Sequence, residues 1–298
     1  MKVLIFGVGG AGRAIYRAFK NSHEIVGFLE NNTKLHGTFF DNKPIFKVED
    51  FKNLDFDKIA LGGVWLNDMK NQLLALGILE EKLYIVDDDL FVYSDKTREE
   101  ITNKFLKEFA KLMKNSGISY FVDGSSLLVL LRNQDLSNAQ DIDIMVKSQD
   151  DLKKIYKLMQ ENSFFKNQDI SKVEYKEDTL ISKKGELLKI VIKSSSNPSQ
   201  SEPVILDISA VVDIKDYYLL NYANDYYLYY NKSYIDGEKY FDYKGISLQI
   251  PFKEDKFSEL LYGKNWITPA KSWSYLDYGN ILNHNECIDF LNKTKGKI

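Results

Sequence analysis

The chain has 298 residues, 44% of them apolar and 28% charged, with a formal net charge of −3; this is the profile of an ordinary globular protein, and its length favours two cores over one. Without a basic excess, nucleic acid is excluded as the expected main partner. One cysteine, Cys287, cannot form an internal disulfide, and the scattered His23, His36 and His284 leave little material for a zinc site or a Ser-His-Asp triad.

"MKVLIF" runs straight into a glycine-rich turn, so no signal peptide is expected, and no apolar run is long enough to span a bilayer. The lone cysteine adds an expectation of a reducing, cytoplasmic setting, with association to the inner membrane face left open.

"KVLIF" reads as a buried strand, "GVGGAG" as a turn, and "RAIYRAFKNS" as an amphipathic helix with Ile15, Tyr16 and Phe19 on one side. Gly7, Gly9 and Gly12 form G-x-G-x-x-G between strand and helix, where backbone N–H groups can receive a phosphate. "EIVGFLE" is a second strand ending in Glu30, about where a dinucleotide fold keeps its ribose-binding acid. A short strand near Pro44 to Val48, "KIALGG", a helix from about Asn67 to Leu76 and "KLYIV" follow, and there the rhythm stops. Residues 1–90 therefore read as an α/β Rossmann-like half-fold, a nucleotide-binding or scaffold domain. An NAD(P)-binding oxidoreductase is a competing reading, but the segment holds little more than one of the two βαβαβ halves it needs. The layout resembles small Rossmann-like domains at the N-termini of bacterial polysaccharide-modifying enzymes, which implies a nucleotide, nucleotide-sugar or architectural role. Glycines that serve only helix-strand packing are the alternative.

The acidic run Asp87 to Asp89 reads as a solvated linker. Thr97 with Glu100 predicts a capping box, and Ile101, Phe105, Phe109, Leu112 and Met113 form one apolar helical stripe ending at Gly117. This helix opens a second domain, residues 95–298.

Within it, "YFVDGSSLLVLLRNQDLSNAQDIDIMV" predicts a strand ending at Asp123, a Gly-Ser-Ser turn, a short helix over Leu127 to Leu131, a polar loop, and a strand bearing Asp141 and Asp143. Carboxylates two apart on a strand share a face, and two like charges so held call for a cation; Mg²⁺ shared with substrate phosphates suits such oxygen ligands. Asp207 in "VILDI" is expected to join them from a neighbouring strand, and Asp213 is a further candidate whose alternative is a turn or cap. Ser148 with Asp151 predicts a helix to about Asn162, followed by strands at Val173 to Tyr175 and Leu187 to Lys193. Lys189 and Lys193 share a strand face, for phosphate neutralisation or simple solvation. The tyrosine-rich stretch from Asp216 to Gly245 can serve as a stacking platform or as core, and so can Trp266 and Trp273.

A Gly-Ser turn followed by a D-x-D strand is the arrangement of nucleotidyltransferase-fold enzymes, here expected as an α+β domain. More specifically, "VDGSSLLVLLRNQDLSNAQDIDIMV", "VILDISAVVD" and "LLYGKNWITP" together resemble the LicD family, which is similar to the fukutin-related proteins. The family's motifs fall on Gly124, Ser125, Leu127, Leu128, Arg132, Asp141, Asp143, Asp207, Asp213, Tyr262, Gly263, Trp266 and Pro269. The resemblance covers about Tyr120 to Tyr278. It implies Mg²⁺-dependent transfer of a phospho-alcohol, such as phosphocholine or a polyol phosphate, from a CDP-linked donor to a glycan hydroxyl in cell-surface polysaccharide synthesis, including capsule or lipopolysaccharide. Asp141, Asp143 and Asp207 would hold metal, Gly124, Ser125 and Arg132 would hold phosphate, and Asp207 would assist the attacking hydroxyl. Asn138 to Gln140 stand where the family commonly carries a Trp and further acids, and Lys264 with Asn265 alters the spacing to Trp266. Nucleotidyl transfer to a small phosphorylated acceptor, a non-catalytic scaffold and homo-oligomer formation stay open.

Overall fold

The computed structural model describes residues 1–87, 90, 94, 96–195, 203–223, 225–270 and 273–295. The linker expectation at Asp88 and Asp89 falls outside them. The chain is a mixed α/β protein with several sheets, divided into two compact units: Met1–Tyr93 with Thr268–Asp277, and Ser94–Ile267 with Tyr278–Ile298. The segment containing Pro269 and Trp273 thus belongs to the first unit.

In the first unit, β1 (Lys2–Phe6) leads through α1 (Gly10–Phe19) to β2 (Glu24–Glu30), the short β3 (Phe39–Phe40), β4 (Lys43–Lys47), β5 (Lys58–Leu61), α2 (Leu66–Ala75) and β6 (Leu83–Ile85). The sheet order is β3-β4-β2-β1-β5-β6, parallel except where β3 meets β4. A central parallel strand is covered on both faces, so β1 is a continuous apolar run. Val3 and Ile5 pack with Ile15, Tyr16 and Phe19 of α1, whereas Leu4 and Phe6 pack with Leu66 and Leu73 of α2.

The second unit opens with α3 (Lys96–Ser116), whose Phe105, Phe109 and Met113 are buried. It already includes Thr97, so that residue lies inside the first turn and the expected capping box has no Thr at its cap position. β7 (Tyr120–Val122), α4 (Gly124–Leu131), β8 (Ile142–Val146), α5 (Gln149–Glu161), β9 (Asp169–Glu174), β10 (Leu187–Lys193) and β11 (Ile205–Ala210) follow. Ser148 caps α5 by accepting the Asp151 N–H, as its spacing predicts. These strands form a sheet in the order β7-β8-β11-β10-β9, in which β8 and β11 run parallel and the other neighbours antiparallel.

The tyrosine-rich region supplies β12 (Val212–Ile214), β13 (Tyr217–Ala223) and β14 (Tyr226–Asn231), then α6 (Lys232–Ile235) and the hairpin of β15 (Tyr240–Tyr243) with β16 (Ile246–Gln249). Next come α7 (Glu254–Tyr262), β17 (Ile281–Leu282), which completes the sheet β12-β13-β14-β17, and α8 (His284–Lys295). Tyr218, Tyr227 and Tyr230 are buried, so core packing accounts for these three. Among the described residues, no helix is long and apolar enough to cross a membrane.

Candidate active site

Two parallel strands bring the acids together. Asp143 on β8 is the register partner of Asp207 on β11, and Asp141 immediately precedes β8. Asp141, Asp143 and Asp207 each offer a carboxylate oxygen within 4.8 Å of the others. Burial and the mutual repulsion of the acids push the carboxyl of Asp143 well above the usual carboxylate range, and burial with Asp207 raises Asp141. Asp207 is 9% exposed; its Oδ1 is buried without a hydrogen-bond partner among the described residues, while its Oδ2 accepts from Lys189 Nζ. Hard oxygens, surplus negative charge and an unsatisfied buried acceptor are what a divalent cation such as Mg²⁺ satisfies, so the donor set fits one.

Lys189 is therefore an ion-pair partner of the site, whereas Lys193 on the same strand is exposed. Asp213 does not join the group: it is exposed on β12 and pairs with Lys232 at 2.5 Å. Hence Asp207, and not Asp213, supplies the third carboxylate of the group.

The Gly-Ser turn abuts the acids. Gly124 has φ +57°, and a Cβ there would stand 2.8 Å from Asp143 Oδ2, so glycine is required both for backbone conformation and for room. Ser125 is exposed on the first turn of α4. Its neighbour Ser126, not anticipated, is fully buried: Ser126 Oγ donates to the carbonyl of Asp141 at 3.2 Å and accepts the N–H of Asp143 at 3.0 Å. Asp123 is a fourth acid beside the cluster, also unanticipated. It is 4% exposed, accepts from Tyr230 Oη at 3.2 Å, and burial pushes its carboxyl up to about 6.

Arg98 is another residue that sequence reasoning missed. It is 2% exposed, and its Nη2 donates to the carbonyls of Ala139 at 2.7 Å and Gln140 at 3.1 Å, the two residues directly before Asp141. Arg132 is the C-cap of α4, is half-buried, and donates through Nη2 to the carbonyl of Trp266; its Nε has no hydrogen-bond partner among the described residues. Tyr262 and Tyr278 pack near the acids with ring centroids 5.5 Å apart and planes tilted by 52°, and burial raises both phenols strongly.

In the first unit, Gly12 is explained by packing, since a Cβ there would fall 1.9 Å from the carbonyl oxygen of Gly7. Gly9, at the N-cap of α1, has open space around its Cβ position. Glu30 braces the loop: its two oxygens accept the N–H groups of Val8 at 3.0 Å and Asn32 at 2.9 Å. The carboxylate expected to meet a ribose is thus engaged by backbone.

Residues 1–84 match the family described as C2185-like, N-terminal. No curated protein matches the chain. Among solved structures, the chain is similar to the lincomycin-bound lincosamide antibiotic adenylyltransferase LnuA, at 15% identity over 54% of this chain and 82% of that one, with a TM-score of 0.31. It is also similar to the UDP-N-acetylglucosamine 3-dehydrogenase GnnA from Acidithiobacillus ferrooxidans, at 12% identity over 78% and 74% of the two chains, with a TM-score of 0.22.

Proposed function

We propose that this protein is an enzyme of the nucleotidyltransferase fold that transfers a phosphate-linked group from a nucleotide donor to a hydroxyl, with Mg²⁺ held by Asp141, Asp143 and Asp207. The observation that carries this reading is the in-register pair Asp143 and Asp207, converging with Asp141 within 4.8 Å and leaving one buried Asp207 oxygen unsatisfied. Mg²⁺ bound there supplies neutralisation of the charge that develops on the donor phosphates.

The backbone at Gly124 and Ser125 opens α4 and turns its N–H groups toward a donor phosphate. The unpartnered Nε of Arg132 offers a further donor. Asp207 accepts the acceptor's proton as its oxygen bonds to phosphorus and the P–O bond to the nucleotide breaks. In the finer form suggested by the LicD resemblance, the donor is a CDP-linked alcohol, the acceptor a glycan hydroxyl, and the leaving group CMP. The second unit, Ser94–Ile267 with Tyr278–Ile298, carries this chemistry. Residues 1–90 form a Rossmann-like nucleotide-binding or scaffold domain in which Gly7, Gly9, Gly12 and Glu30 shape the loop.

One observation favours a second reading. The loop before the acids, Asn138 to Gln140, carries no carboxylate where the LicD pattern commonly has further acids, and Arg98 donates to its backbone instead. Nucleotidyl transfer would use the same three acids and release pyrophosphate. The test is phosphorus NMR of the folded protein with Mg²⁺, a panel of CDP-linked alcohols and nucleoside triphosphates, and sugar acceptors. Release of CMP with a new phosphodiester supports the first reading, and pyrophosphate supports the second. Absence of turnover with every donor, in protein that binds Mg²⁺, would contradict the transferase reading.

A further inference from the structure

The loop that leads into Asp141 and Asp143 is tied down at both ends. It begins at Asp135, the N-cap of a short 3₁₀ helix over Leu136–Asn138, whose Oδ1 accepts the Ser137 N–H at 2.8 Å. It ends at Ala139 and Gln140, whose carbonyls accept from Arg98 of α3. Leu136, Ser137 and Ala139 are buried, so the loop is packed as well as tied. At the Asp135 end the tie comes from the tip of the β15–β16 hairpin, 108 residues further along the chain.

Two side chains make that tie. Tyr243, 5% exposed, donates from Oη to Asp135 Oδ1 at 2.8 Å and accepts the N–H of buried Leu136 at 3.3 Å. Lys244 Nζ donates to Asp135 Oδ2 and, at 2.6 Å, to Glu99 Oε1. Glu99 follows Arg98 on α3, so one turn of that helix reaches the far end of the loop directly and the near end through Lys244. The hairpin turn runs against its usual residue preference. Tyr243 pairs with Ile246, and the two residues between them, Lys244 and Gly245, have φ of +52° and +80°. A two-residue turn with both φ positive favours Asn, Asp or Gly at its first position. A lysine kept there breaks the local rule, and the contacts of its ammonium are what it gains.

We propose that Tyr243 and Lys244 are positioning residues for the metal site: by fixing Asp135, the hairpin tip sets where Asp141 and Asp143 stand. This rests on the reading of Asp141, Asp143 and Asp207 as a Mg²⁺ centre, and it gives neither hairpin residue a contact with the ion. Of the two, Tyr243 carries the larger effect. Its loss removes the acceptor of a buried N–H at Leu136, whereas the Lys244–Glu99 pair is partly exposed, with side chains 39% and 45% accessible, and solvent and salt weaken such pairs. For Lys244 the sign of the effect is informative. Charge alone predicts that removing a cation near a cation site strengthens Mg²⁺ binding, whereas positioning predicts that it weakens.

The test compares the wild type with Tyr243→Phe, Lys244→Asn and Lys244→Arg, each as the full chain and below its melting temperature. Asn suits the left-handed backbone of Lys244, so that variant removes the ammonium without straining the turn. Mg²⁺ affinity by calorimetry should fall about tenfold in Tyr243→Phe and about threefold in Lys244→Asn, with Lys244→Arg close to the wild type. Between about 50 and 500 mM salt the Lys244→Asn deficit should shrink while the Tyr243→Phe deficit persists. Hydrogen exchange of the metal-free proteins is the second readout. The Ala139 amide, which donates to the carbonyl of Leu136, should exchange about tenfold faster in Tyr243→Phe, with the amides of α1 unchanged. Unchanged or tighter Mg²⁺ binding by the Phe and Asn variants, or unchanged exchange at Ala139, would each overturn the proposal. A wild type that binds no Mg²⁺ would instead sink the metal reading, and exchange at Ala139 would then decide by itself whether the hairpin holds the loop.

Discussion

Asp143 and Asp207 face each other in register across the parallel pair β8 and β11, and Lys189 from the next strand donates to Asp207 Oδ2. The site therefore holds one ammonium against three clustered carboxylates. A divalent cation and Lys189 compete for the same carboxylate. Replacing Lys189 with Met should lower the melting temperature of the metal-free protein, because removing one partner strands a largely buried charge. The same variant should gain more from Mg²⁺ than the wild type does. Differential scanning fluorimetry with and without Mg²⁺ reads both quantities, and an equal Mg²⁺ gain in the two proteins would refute the competition.

Asp123 sets a pH dependence. Burial raises its carboxyl to about 6 in the folded chain against an ordinary value of 3.8, so the folded state favours the protonated form. The associated stability is fully present below about pH 4 and is lost as pH rises through about 6. A shift of this size corresponds to roughly 3 kcal/mol at most. Asp141 and Asp143 are raised too and act in the same direction. Metal-free protein should thus unfold more readily at pH 8 than at pH 5, and Asp123→Asn should flatten that difference by raising stability at pH 8. Chemical denaturation at the two pH values checks this; an Asn variant with an unchanged pH difference would remove Asp123 as its source.

The acids were legible because their signal is local. D-x-D on an apolar strand places two carboxylates on one face by period alone, and "VILDI" marks a neighbouring apolar strand with one acid. What holds them was not legible. Arg98 lies forty-one residues from Ala139 in a helix whose apolar stripe explains its packing, and only the tertiary fold brings its guanidinium to the loop. The choice between Ser125 and Ser126 depends on the phase of α4, which shifts with a single-residue change in where the helix starts. For Lys189 the shared strand face was visible, but the β10–β11 register that brings it diagonally to Asp207 was not.

Arg98 is a positioning residue for Asp141. Arg98→Met leaves the carbonyls of Ala139 and Gln140 without this donor, at a cost of about 1–3 kcal/mol. It also removes a positive charge that favours ionised Asp141. Mg²⁺ affinity, measured by calorimetry at a temperature where the variant is folded, should fall by at least tenfold, and Arg98→Lys should recover part of it. A variant with reduced stability and unaltered Mg²⁺ affinity would limit Arg98 to packing.

In the first unit, Gly12→Ala and Gly9→Ala should separate packing from binding. The Gly12 variant forces a Cβ to 1.9 Å from the carbonyl oxygen of Gly7 and should destabilise the fold by more than about 3 kcal/mol. Gly9→Ala meets open space and should leave stability within about 1 kcal/mol. If the loop cradles phosphate, the Gly9 variant should nevertheless bind nucleotide more weakly in equilibrium dialysis. Unchanged nucleotide binding would take Gly9 out of any phosphate contact.

The most direct measurement is Mg²⁺ binding by isothermal titration calorimetry to the wild type, Asp143→Asn and Asp207→Asn. The wild type should show a Mg²⁺-dependent heat and thermal stabilisation that both variants lose while remaining folded. A wild type that takes up no divalent cation with nucleotide present, or variants that bind it as the wild type does, would contradict the assignment of these acids as a metal centre.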